Sequence, residues 1–354
     1  MPKNKEYKSP FCIRGAHLNC PLPLALESYW ACEADCYHCL GRKLNQIWGT
    51  EQRVTNPEHV ARKLQNSQKT NDPKSPMAMA LKKKKTIWIG RKSDPYQPIE
   101  NELGVTRKII QSLMDLDWSF VVCSKYLTNA KRDEDLFDKG RSLMTFLIEI
   151  TPGAESDWTI FERERTTPIP TRLKLAQRWM KRGIPIGIRG EPFIPGYHTP
   201  KEFRDMLKRL RSYGLKSYNT YNLHLNDYTA KRLYNIGLDI ERIWEHNQDR
   251  LWKPIQQELC KIAEEEGIVL GCPDFVNVPP NWRARTNTCC GVSVPNSFQF
   301  NTHCWRRRLQ HGADRKKLLD NTWEGIGTEE DQKKAHTILF DKSKDQYTMR
   351  DAGL

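Results

Sequence analysis

No stretch of this 354-residue chain is apolar for long enough to cross a bilayer, and Met1-Pro2-Lys3-Asn4-Lys5 leads into no signal-peptide core. The expectation is therefore a soluble cytoplasmic protein with no membrane partner. Internal repeats beyond an alternation of strand and helix are missing too, as are extended low-complexity tracts, which excludes a repeat architecture. Acid is short relative to base: 43 Asp and Glu stand against 57 Lys and Arg, for a formal charge of +14. That imbalance suits a polyanionic partner such as nucleic acid, or equally a lysine-rich solvated surface. Cysteine is not scarce. In a cytoplasmic protein 11 of them point to metal binding or redox chemistry rather than to a disulfide framework.

A chain of this length can bury one large core, or one core with a modest extension. From about residue 24 to 225, short apolar runs alternate with longer amphipathic segments. Strands are expected at Leu24–Trp30, Lys85–Gly90, Trp118–Ser124, Leu143–Ile150, Ile184–Arg189 and Ser217–Leu225. Between them, helices are expected at Val54–Gln65, Pro98–Met114, Asp133–Arg141, Thr171–Arg182 and Pro200–Tyr213, the first opened by an N-cap and proline at Thr55-Asn56-Pro57. Six strands alternating with helices imply parallel βαβ units, hence an α/β fold that is a barrel or an open arc of one. Residues 1–21 read as a lead-in and 22–225 as the partial barrel, with 69–85, including Lys82 to Lys85, as an exposed basic insertion. Residues 226–324 read as a mainly helical, loop-rich extension containing cysteines, and 325–354 as a polar tail.

The loop after the first expected strand carries Cys32, Cys36 and Cys39 in C-x3-C-x2-C spacing, with no fourth cysteine beside them. Three thiolates can hold a four-iron cluster by three corners and leave one iron open to an outside ligand. A zinc knuckle completed by His38 or by a distant cysteine is the competing reading. Active residues in parallel α/β folds gather at the carboxyl ends of the strands. The cysteine loop, 90–98, 123–125, Thr151 and 189–191 all fall there.

The cysteine spacing resembles the signature of the radical S-adenosylmethionine (SAM) enzymes. The segment Asp94-Pro95-Tyr96-Gln97-Pro98, followed by Glu100, narrows the resemblance to members related to spore photoproduct lyase. So do Leu22-Pro23-Leu24 with Trp30-Ala31-Cys32, Ser124-Lys125 with Lys131-Arg132-Asp133, and Gly183-Ile184-Pro185 with Glu191-Pro192-Phe193-Ile194-Pro195-Gly196. The resemblance runs from about Leu22 to Gly196. It implies a partial (β/α)6 barrel, a [4Fe-4S] cluster on Cys32, Cys36 and Cys39, and SAM on the open iron. It also implies a 5′-deoxyadenosyl radical that abstracts a hydrogen atom, and a reducing partner such as flavodoxin or ferredoxin. Under it Asp94, Lys125 and Thr151 are candidate SAM contacts. His38 stands where the family normally has an aromatic residue against the adenine, with Tyr37 beside it. Tyr96 is expected to face the mouth. The lyase returns a hydrogen atom from a cysteine that no motif here matches; Cys123, at a strand end, is the candidate, against an inert buried thiol.

Cys272, Cys289, Cys290 and Cys304 fall in a span rich in Pro, Gly and Asn and are candidate ligands of a second iron–sulfur cluster or of zinc, unligated thiols being the alternative. Arginine interleaved with tryptophan at Trp282-Arg283-Ala284-Arg285 and Trp305-Arg306-Arg307-Arg308 suits stacked nucleotides, or a basic face packed on the barrel. The expected substrate is a nucleic-acid base or nucleotide, with a peptide or small molecule as an alternative. A zinc-containing, non-catalytic nucleic-acid-binding protein is the reading from another class.

Overall fold

In the computed structural model the described residues are 5–13, 22, 24–39, 41, 51–153, 157–162, 165–271, 310, 312 and 314. The strands are β1 (Lys5–Glu6), β2 (Phe11–Ile13), β3 (Leu24–Leu26), β4 (Arg53–Val54), β5 (Ile87–Ile89), β6 (Phe120–Ser124), β7 (Met144–Glu149), β8 (Ile186–Arg189), β9 (Ser217–Asn219) and β10 (Val269–Gly271). The helices are α1 (Pro57–Lys69), α2 (Pro76–Lys82), α3 (Glu100–Leu103), α4 (Val105–Asp115), α5 (Leu127–Ala130), α6 (Glu134–Gly140), α7 (Asp157–Glu162), α8 (Ile169–Lys181), α9 (Pro200–Ser212), α10 (Asp227–Tyr234), α11 (Ile240–His246) and α12 (Asp249–Glu265).

One sheet of 8 strands runs β2-β3-β5-β6-β7-β8-β9-β10. Every neighbouring pair is parallel except β2 with β3. All of the expected strands are present. Their residues are apolar on both faces because a parallel sheet is covered on both sides. Alternation then sorts them. Ile87, Ile89, Phe120, Val122, Phe146 and Ile148 join the main core with residues of α4 and α8, whereas Trp88, Val121, Cys123 and Leu147 cluster with Leu22 on the opposite, concave face.

One expectation needs correction, and two segments add strands to the sheet. The stretch read as an exposed insertion contains α2, capped by Ser75 with Pro76 at its start, and it buries Met79, Ala80 and Leu81. The lysine run beside that short apolar patch masked it. The lead-in contributes β2, an antiparallel edge with Phe11 opposite Leu26. In the extension, α12 and β10 add a further parallel unit, Val269 pairing with Ser217. Elsewhere local chemistry matches. Asn56 accepts from Glu58 and His59 at the start of α1, and Thr199 and Glu202 form a reciprocal cap on α9. The helix expected at Pro98–Met114 breaks at Gly104, whose φ of +60° ends α3 and starts α4.

Candidate functional site

The cysteine loop leaves β3 and is held from below by the segment after β5. Gly90 makes that segment possible. Its φ is +82°, and a Cβ there would lie 2.3 Å from Pro95. The buried Glu27 carboxylate accepts from the Lys92 and Ser93 amides at 2.8 and 3.2 Å, and Ser93 Oγ donates to the Tyr29 carbonyl at 2.6 Å. Gln97 reaches the loop itself, accepting from Glu33 N at 2.7 Å and donating to Ala31 O at 3.0 Å. The Asp94 amide points at Cys32 Sγ, 3.4 Å away. Pro95 and Pro98 limit φ on either side, so this strap is stiff before it makes a contact.

Cys36 is buried, and Cys32 and Cys39 are half-buried. Burial, with Asp94 adding, pushes the Cys32 thiol up to about 12; burial also raises Cys36, against the pull of Lys125. Thiols in such surroundings ionise only when a cationic centre takes their charge.

Asp94 sits at the meeting point of three strand ends. Its Oδ1 accepts from Ser124 Oγ at 2.7 Å and from Tyr96 N at 2.9 Å, and its Oδ2 accepts from Lys125 N at 2.7 Å. Burial moves its carboxyl up to about 6 although those donors oppose the change. Both oxygens thus already bind this chain's own donors, which orient the start of the segment after β6.

Lys125 is buried and donates through Nζ to Glu162 Oε1 at 2.8 Å, with Glu149 Oε2 at 3.5 Å. Glu162 is also bound by Arg172 and by Thr166 Oγ1, and lies 3.4 Å from Thr151 Oγ1. Burial alone would raise Glu162, but Arg172 and Lys125 outweigh it and hold the carboxyl well below the usual range. Lys125 and Thr151, expected at the site, are therefore brought together on a carboxylate that sequence reasoning did not single out. Glu162 lies in Asp157–Glu162, where nothing in the local pattern marks one acid over its neighbours.

On the concave face the Cys123 thiol lies 3.4 Å from Glu149 Oε1. Arg189 pairs with Glu149 and Glu191 and packs over the Trp88 ring at 5.3 Å, with Arg91 over the same ring at 5.1 Å. Burial, then Glu149, raises the Cys123 thiol, keeping it protonated. Tyr96 is not at the mouth. Its phenol donates to Asp133 Oδ2 at 3.1 Å and its ring stacks near Phe146 in the main core, because the turn at Pro95 faces it toward the helices. Tyr37 lies beneath the Arg232 guanidinium. His38 lies beside Phe161, and burial, with Lys125 adding, drops it to about 3. Cys272, Cys289, Cys290 and Cys304 fall outside the described residues.

The donor set fits an iron–sulfur cube in three respects. Three thiols stand on one loop, near enough that their charges would oppose one another. Gly41 leaves room where a Cβ would stand 3.3 Å from Cys39 Sγ and 3.1 Å from the Lys92 carbonyl. The buried Tyr126 hydroxyl, which interacts electrostatically with Cys32 and Cys36, has no hydrogen-bond partner among the described residues. Among those residues, no three Cys, His, Asp or Glu side chains gather as they would around one ion. A cube does not ask for that, since each thiolate takes a different corner.

A spore photoproduct lyase double mutant with bound AdoMet and dinucleoside spore photoproduct matches this structure with a TM-score of 0.55 at 13% identity, over 76% of this chain and 80% of that one. A single mutant of that lyase, and another with dinucleoside spore photoproduct, match with the same values. No protein-family model matches the chain, and no curated protein matches it. The fold is thus an α/β partial barrel similar to that of spore photoproduct lyase.

Proposed function

We propose that this protein is a radical SAM enzyme acting on a nucleic-acid base or nucleotide. The observation that carries the reading is a loop of three thiols, without a fourth, at the carboxyl end of the strand that opens a partial barrel of this type. Cys32, Cys36 and Cys39 would hold a [4Fe-4S] cluster and leave one iron for SAM. Bound together, these cofactors supply a 5′-deoxyadenosyl radical for hydrogen-atom abstraction.

The chain's own residues bind, orient and shield. Lys125 offers a buried ammonium beside the loop for the SAM carboxylate, and Glu162 and Glu149 keep that ammonium charged and in place. Thr151 offers a hydroxyl at the next strand end. Tyr37 and His38 flank the place for the adenine. Asp94 and Gln97 position the loop rather than reacting. Cys123 keeps a neutral S–H on the concave face, where it can return a hydrogen atom to a product radical. The formal charge of +14 supports a nucleic-acid substrate, as does the dinucleoside bound by the similar lyase. A flavodoxin or ferredoxin would supply the electron. Cys272, Cys289, Cys290 and Cys304 would hold a second cluster or zinc.

Anaerobic reconstitution of the full chain with iron and sulfide tests the reading. A brown protein that cleaves SAM to 5′-deoxyadenosine when reduced supports it. A colourless protein that holds stoichiometric zinc and leaves SAM intact would overturn it in favour of a nucleic-acid-binding zinc protein.

A further inference from the structure

The turn between the first two cysteines depends on a residue almost two hundred positions away. Asp35, inside Cys32-Glu33-Ala34-Asp35-Cys36, has a φ of +50°, in the left-handed region that a Cβ disfavours. Arg232 of α10 meets it twice. Nη1 donates to Asp35 Oδ1 at 3.0 Å and Nη2 donates to the Asp35 carbonyl at 2.8 Å. One contact holds the side chain and the other holds the strained backbone.

Arg232 is itself fixed in place. Its Nη1 donates to Tyr228 Oη at 2.9 Å, one helical turn earlier, and its guanidinium lies 5.1 Å from the Tyr37 ring and 5.4 Å from the Tyr228 ring. Its side chain is 13% exposed, so water competes little for these bonds. The helix beneath is well founded: Asn226 accepts from Tyr228 N and Thr229 N, and Thr229 Oγ1 accepts from Asn226 N. Ala230 and Leu233 anchor α10 in a cluster with Phe161 and Ile194. A rigid helix in the segment after the barrel therefore grips the loop through a planar, bidentate cation that lysine cannot reproduce.

We propose that Arg232 is a positioning residue for the cysteine loop: it holds Asp35 in the left-handed turn and so sets where Cys32 and Cys36 stand relative to one another. This rests on the three-thiolate reading of the loop. The consequence is that the helical layer after the barrel, not the barrel alone, governs how firmly the cofactor is held.

The test compares wild type with Arg232→Ala, Arg232→Lys and the double variant Arg232→Ala/Asp35→Gly, all as full chains. Iron per protein after anaerobic reconstitution and desalting is expected to fall about tenfold in Arg232→Ala and partly in Arg232→Lys. The low-temperature EPR signal of the reduced protein should broaden with it. Glycine adopts the turn without strain, so the double variant should regain iron. In iron-free protein, native-state alkylation of Cys36 by iodoacetamide, followed by mass spectrometry, should be faster in Arg232→Ala, while circular dichroism reports whether the variant is folded. Should Arg232→Ala fail to fold, Arg232→Lys and Tyr228→Phe carry the same readouts. Unchanged iron retention, EPR and Cys36 alkylation in the folded variants would overturn the proposal. If wild type takes up no iron, the cluster reading fails, and the alkylation rates still decide the clamp.

Discussion

Gln97 and Ala31 are joined across 66 residues of sequence, Nε2 donating to the alanine carbonyl at 3.0 Å while Oε1 accepts from Glu33 N at 2.7 Å. A single buried primary amide thus bridges both sides of Cys32. Gln97→Ala leaves a half-buried donor and a half-buried acceptor unmet, and the expected loss is about 1 kcal/mol of stability. Urea denaturation of the iron-free protein measures it. Gln97→Glu should keep the Glu33 bond, lose the Ala31 bond, and fall between the two.

Beneath the mouth, Glu162 and Arg172 form an ion pair from which water is excluded, with Lys125 as a third member. Removing one partner strands the others. Glu162→Leu is expected to destabilise the fold by about 3–5 kcal/mol. Glu162→Leu combined with Arg172→Met should cost less than the single change, because one cation then remains in place of two. Chemical denaturation midpoints of the three proteins check that order. Equal losses in the single and double variants would show that packing, not charge, dominates here.

The parallel sheet was legible because each strand is a short apolar run bounded by polar or glycine residues, and because the caps at Asn56 and Thr199 have plain chemical signatures. The cysteine loop and the strap at Asp94 to Pro98 were legible as unusual residues at strand ends. Glu162, Arg172 and Glu149 were not. Their role depends on which strand ends meet in space, and an isolated acid or base looks the same in sequence whether buried or solvated. Tyr96 misled for a related reason: being next to a mouth residue does not fix a side chain's direction after a proline turn. Arg232 is the extreme case, an ordinary helix arginine whose partner lies 197 residues away.

His198 offers a pH handle outside the cysteine loop. Its Nδ1 accepts from Ile194 N at 2.9 Å, and burial lowers it to about 3. The ring is neutral when folded and ordinary when unfolded, so the unfolded chain binds the extra proton between about pH 3 and 6.5. Its contribution is complete above pH 6.5 and declines as pH falls, by about 1.4 kcal/mol per pH unit at most. His198→Asn retains an acceptor for Ile194 and cannot titrate. Denaturation of the iron-free proteins at pH 5 and at pH 7.5 should show a smaller acid loss in the variant.

Two cysteine substitutions separate the proposed metal sites. Cys36→Ala removes a corner ligand and is expected to abolish SAM cleavage together with the brown colour of the first cluster. Cys289→Ala is expected to leave some cleavage and to impair turnover of the true substrate. Iron analysis alongside 5′-deoxyadenosine yield distinguishes the outcomes. Equal loss of both in the two variants would argue against separate roles.

Cys123 faces Glu149 from the strand beside it, within a face otherwise made of Leu22, Trp88, Val121 and Leu147. Hydrogen-atom return requires an S–H bond rather than a thiolate, and burial together with Glu149 keeps the thiol protonated. A thiol proton exchanges with solvent, whereas a hydrogen bound to carbon does not. If Cys123 quenches the product radical, turnover in D2O with a DNA oligonucleotide substrate should place solvent deuterium at the quenched carbon. Cys123→Ala should continue to form 5′-deoxyadenosine but lose that label, and products of an unquenched radical should accumulate. Mass spectrometry of the recovered nucleosides reads both effects. Deuterium at the same carbon in equal yield from the alanine variant would assign the hydrogen to another donor and leave Cys123 as a buried packing residue.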